Sequence, residues 1–173
     1  MPCRLNAGFA LVLTLLAACQ PPLNWRETRP AGAGVVALFP CKPVVDQRPA
    51  QVSEGVMGLA HCEADGRRFA LSWADTPDPI QAGAALKAMA ASLAAKLGQP
   101  LISAQALQVP GMTPLAEAAQ YRVAGVASVA RIAVFAYGGR VYQALMTAAV
   151  DDETAWQSFV GGLRVDRVAE PAR

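Results

Sequence analysis

Two alternating runs meet at Asp65-Gly66, and that turn constrains the fold more than any other feature of the sequence. Asp and Gly both tolerate positive φ, as a two-residue type I′ hairpin requires. Centred there, Val56 to Glu63 and Arg67 to Trp73 pair so that Cys62 faces Phe69, Ala60 faces Leu71 and Gly58 faces Trp73. All six share one face, and Gly58 leaves room for the indole. Glu63 falls opposite Arg68 on the other face, a favourable cross-strand charge pair. Turn, volume and charge agree on one register.

The remaining elements arrange themselves around this hairpin. A strand is expected over Gly34 to Phe39, closed off by Pro40 and Pro43. A helix follows with marked ends: Asp78 as N-cap, Pro79 at the first position, Gly98 just past the end and Pro100 beyond it. Leu86, Met89, Leu93 and Leu97 recur at helical spacing and predict its buried stripe. Three further strands are expected at Ala118 to Ala124, Val129 to Tyr137 and Arg140 to Thr147, with Gly138-Gly139 turning the second hairpin. That hairpin is apolar on both faces, with Phe135, Tyr142 and Met146 on one and Ile132, Val134, Val141 and Leu145 on the other. It should be covered on both sides or lie centrally in its sheet. Asp151-Asp152-Glu153 opens a last helix, acids suited to its positive end, and Trp156, Phe159, Val160 and Leu163 form its buried stripe.

The order β-β-β-α-β-β-β-α, about six strands and two helices, predicts an α+β domain on an antiparallel sheet. The strand running into Phe39-Pro40-Cys41-Lys42-Pro43, the hairpin, helix and meander, and the closing Trp156 to Arg164 are together similar to PsbP-like and DcrB-like domains. The resemblance spans residues 33–165 and rests on element order and short apolar landmarks. It implies helices on both sides of the sheet and an assembly or accessory role, and it carries no functional residue across.

The first eighteen residues have the make-up of an export signal. Arg4 is followed by an uncharged, mostly apolar run from Leu5 through Ala18. That run is too short for a roughly 30 Å hydrocarbon core, which needs about twenty residues. It closes in Leu16-Ala17-Ala18-Cys19. An aliphatic residue, two small residues and cysteine resemble the lipobox of bacterial lipoproteins. The resemblance implies cleavage before Cys19, a diacylglyceryl thioether on that cysteine and N-acylation by a fatty acid such as palmitate. Two or three acyl chains hold firmly where one binds marginally. Gln20 follows, with no aspartate there to suggest inner-membrane retention, which favours the periplasmic side of the outer membrane. The expected organisation is a signal over 1–18, a Pro-rich tether over 19–32, one domain over 33–165 and a loose tail over 166–173. Trp25 is expected to pack the end of the tether onto the domain.

Cys3 falls in the discarded signal, leaving Cys41 and Cys62 in the domain. In an oxidising envelope an isolated pair points to a structural disulfide, against the alternative of two buried free thiols. The spacing is wrong for a redox CxxC, and two thiols are too few for structural zinc.

Charge and motifs narrow the function. Fifteen Lys and Arg against thirteen Asp and Glu leave no basic stripe for phosphates, so nucleic acid is not an expected partner. His61 is the only histidine, so no histidine-based metal cluster is expected within one chain. No GxSxG, HExxH or Walker A motif is present. Gly32-Ala33-Gly34-Val35-Val36-Ala37 matches a loose dinucleotide fingerprint, but it precedes a strand where that fingerprint must follow one. Asp75 and Asp78 read as turn and cap residues. Asp151, Asp152 and Glu153 read as helix-capping acids before they read as a cation site. No catalytic residue and no cofactor is expected. Two classes of function remain: a non-catalytic envelope accessory protein with a protein partner, and a module binding a small ligand or lipid.

Overall fold

The computed structural model describes residues 23–49, 55–76, 78–125 and 128–166, with backbone alone for 103 and 104. The signal segment, Cys19, the first residues of the tether and the tail beyond Asp166 lie outside the described residues. Within them run β1 (Arg26–Thr28), β2 (Val35–Phe39), β3 (Val44–Pro49), β4 (Val56–Ala64), β5 (Arg67–Asp75) and α1 (Ala82–Leu97). β6 (Ile102–Ala106), β7 (Ala119–Ala124), β8 (Val129–Tyr137), β9 (Arg140–Ala148), α2 (Glu153–Gly161) and β10 (Arg164–Val165) complete the order.

The β4–β5 hairpin has the register its turn dictates. Asp65 and Gly66 take φ of 50° and 69°, and Cys62 pairs with Phe69, Ala60 with Leu71, Gly58 with Trp73 and Glu63 with Arg68. The second hairpin closes likewise, with Gly138 and Gly139 at φ of 55° and 81°. Its two strands sit in the middle of a seven-stranded sheet of order β3-β4-β5-β9-β8-β7-β6. That position explains why both faces of β8 and β9 are apolar.

The architecture is α+β, with two helices among the described residues. The expected six strands become ten among the described residues, in two sheets. β3 extends the hairpin as an exposed edge strand, β6 adds the opposite edge, and β1-β2-β10 form a separate antiparallel sheet. β1 falls inside the stretch expected as tether. Its strand pairing, Leu23 against the core and Trp25 edge-on to Phe69 at 5.5 Å dock residues 23–28 on the domain. Prolines at 21, 22 and 30 suggested an extended backbone, and the extended backbone found a strand to pair with.

One face of the large sheet carries the small sheet and α2. Phe159 of α2 lies edge-on to Phe39 at 5.2 Å and to Phe69 at 5.4 Å. The Trp156 indole N–H donates to Gln120 Oε1 at 2.9 Å, and the Tyr142 hydroxyl to the Ala33 carbonyl at 2.9 Å. Ile132, Val134 and Val141, on the other face, are buried too, and α1 lies against their strands. Each large apolar side chain so enclosed stabilises the fold by about 1.5–3 kcal/mol.

α1 departs from the expected stripe. Asp78 caps a single 3-10 turn at Pro79–Gln81, accepting from the Ile80 N–H, and the α-helix begins only at Ala82. Of the four stripe residues Leu86 alone is fully buried; Ala82 and Ala90 complete the contact, and Met89, Leu93 and Leu97 are half-covered. Met89, Leu93 and Leu97 still pack against the core from the helix's flank.

Candidate functional site

Alternation along β4 decides what this domain shows to solvent. Gly58, Ala60 and Cys62 point into the core, so Leu59, His61 and Glu63 point out. Strand register lines up Val44, His61, Ala70 and Leu145 across β3, β4, β5 and β9. Together with Cys41, Lys42, Leu59 and Arg68 they border a shallow depression of about 640 Å³. Val44 is 58% exposed and Leu59 36%. The surface is therefore apolar at its centre and charged at its rim.

Cys41 and Cys62 form a disulfide with Cα atoms 6.0 Å apart, so both thiols at this site are tied up. The bridge fastens the β2–β3 connection to the hairpin and fixes Lys42 beside the depression. His61 Nε2 stands 3.7 Å from Asp46 Oδ2, beyond hydrogen-bond range. Asp46 is the residue that sequence reasoning missed, because it sits on an edge strand with no buried alternation to mark it. Arg68 and Glu63 pair at 3.3 Å with both side chains well exposed. Such surface pairs contribute about 0–1 kcal/mol. The depression thus has its thiols bridged and its imidazole open to water.

The acidic residues singled out in the sequence serve the fold. Asp152 Oδ1 caps α2 by accepting from the Ala155 N–H at 2.9 Å, and its other oxygen takes Arg67 at 2.7 Å. Asp151 receives Arg131 at 2.7 Å and Arg122 at 2.8 Å, and the Arg131 hydrogen bond holds its carboxyl below the usual range. Asp75 accepts from Arg140 at 2.6 Å and from the Val56 N–H at 2.9 Å. Arginines occupy the positions a cation would take. Among the described residues no group of three or more His, Cys, Asp and Glu is placed to hold a metal ion.

Further depressions lie over the 105–119 connection, of about 480 Å³, and beside Arg140 and Asp166, of about 430 Å³. In the second, Arg140 already donates to Asp75 and to the Gly32 carbonyl, and Arg29 to Asp166. No helix among the described residues is long and apolar enough to cross a membrane. In comparison with known proteins, no family model and no curated protein matches the chain.

Proposed function

We propose that this chain is a lipid-anchored protein of the bacterial envelope, cut before Cys19, whose domain is a non-catalytic accessory module that engages a protein partner. The observation that carries this reading is the Leu16-Ala17-Ala18-Cys19 box, set four residues before Leu23, where the chain begins to pack on a folded domain. The similarity of residues 33–165 to PsbP-like and DcrB-like domains supports an accessory role. The interior supports it as well: Trp73, Trp156, Tyr142, Phe39, Phe69, Phe135 and Phe159 fill the core at 0–1% exposure. Recognition then falls to the surface, where Ile80 is 90% and Val150 78% exposed. Gln20 favours the periplasmic side of the outer membrane.

A module binding a small ligand or lipid is the second reading, and the outer-face depression is the observation in its favour. It lies open on the sheet, whereas ligand sites enclose most of their occupant. Crosslinking in native membranes followed by affinity purification tests the first reading. Recovery of a stoichiometric protein neighbour is expected, and recovery of a small ligand with no such neighbour would support the second. Cys19→Ser should abolish fatty-acid labelling and lipoprotein-type processing. A substituted chain that still labels and still fractionates with membranes would defeat the anchor.

A further inference from the structure

We infer that the outer-face depression beside Lys42 is the surface by which the domain rests on the bilayer. The inference depends on the lipid-anchor reading and adds which side of the domain meets the lipid. Leu23 packs against the core, and the Asn24 N–H donates to the Pro40 carbonyl at 3.2 Å. The very next residue, Cys41, begins the lining of the depression. Three residues separate Leu23 from Cys19, and the four fully extended steps between them span at most about 14 Å. A lipid on Cys19 therefore ties the β2–β3 corner of the domain, where Cys41 opens the depression, close to the headgroups. The opposite end is held away: Ile80 follows Pro79, which neighbours Gly139 at the start of β9. Six residues along that strand lies Met146, paired with the Phe69 that faces Cys62, a distance of about 20 Å.

The chemistry of the surface fits a lipid occupant. Val44 and Leu59 offer apolar contact at 58% and 36% exposure. Lys42 is exposed beside them, and a lysine there can lay its stem along apolar surface while its ammonium reaches lipid phosphate. Of the acids nearby, Glu63 is paired with Arg68 at 3.3 Å and therefore opposes an anionic surface less than a free carboxylate would. A broad, shallow, sheet-lined depression suits an extended surface better than an enclosed molecule.

The test uses the full mature protein, purified from membranes and returned to vesicles of phosphatidylethanolamine and phosphatidylglycerol containing lipids brominated on the acyl chain. Mass spectrometry of the N-terminal peptide first reads the lipid on Cys19. A fluorophore is then attached at Val44→Cys in one sample and at Ile80→Cys in another, both positions being exposed and the native cysteines bridged or lipidated. The Val44 probe should be quenched several-fold more than the Ile80 probe, and Lys42→Glu should reduce that difference. Equal quenching, or stronger quenching at Ile80, overturns the seat while the anchor stands. A Val44 probe shielded from aqueous quencher but untouched by the brominated lipid overturns it in favour of a second copy of the chain. An N-terminal peptide without lipid removes the anchor, and the seat with it.

Discussion

Gly58 lies directly across from Trp73, and a Cβ at Gly58 would fall 2.1 Å from the indole Cζ2. Trp73 is 1% exposed, so its ring has nowhere to retreat. Gly58→Ala should therefore destabilise the domain by about 1–3 kcal/mol, the usual cost of overpacking a filled core. A urea-unfolding midpoint unchanged from the parent would show that β4 shifts freely.

The Cys41–Cys62 bridge spans 21 positions of chain. A loop of that length stabilises by roughly 3 kcal/mol through the unfolded state. The paired substitution of both cysteines by alanine should lower stability by that order and leave the hairpin register intact. Thermal unfolding with and without reductant measures it; identical curves would mean that the bridge adds nothing.

Asp151 holds Arg131 and Arg122 against the start of α2, joining β7, β8 and the helix through one carboxylate. The Arg131 hydrogen bond lowers its pKa from the ordinary 3.8. A depressed carboxylate contributes stability that is present above the unfolded pKa and lost as pH falls through the folded one. Acid unfolding should thus steepen below about pH 4, and Asp151→Asn should flatten that part of the profile. At neutral pH the same substitution should cost about 1.5–3 kcal/mol, typical of a lost charged hydrogen bond. Parallel acid profiles for parent and variant would contradict the assignment.

What the sequence made legible was governed by local signals. Asp65-Gly66 set a register that then located Glu63 against Arg68 and Gly58 under Trp73, because turn geometry and period-two alternation act over few residues. β3 gave no such signal. Val44 to Pro49 is solvent-facing at an edge and bounded by prolines, so nothing alternates along it. β1 and β10 are three and two residues long, ordered by a sheet that only tertiary packing assembles. The depression was hidden for the same reason: Val44 and Asp46 reach His61 and Leu59 only once β3 is in place. Asp152, by contrast, was readable as a cap because capping is local, although its second partner, Arg67, is distant in sequence.

His61 marks the sharpest division between a contact surface and a catalytic one. Its nearest carboxylate is Asp46 at 3.7 Å, with side chains 38% and 71% exposed respectively. A general base works from a cleft with a committed hydrogen-bond partner, and the imidazole is neither enclosed nor hydrogen-bonded to that carboxylate. Lys42, Val44 and Leu59, which carry the proposed bilayer contact, do not depend on the imidazole. His61→Ala should therefore change stability by less than about 0.5 kcal/mol, as for other surface positions, and complement a deletion strain as the parent does. Trp73→Ala, taken in parallel, should cost about 3–5 kcal/mol and fail through loss of folded protein. The informative measurement is complementation alongside protein level. If His61→Ala accumulates normally yet fails to complement, the non-catalytic reading falls, and the imidazole beside Asp46 becomes the reactive group to pursue.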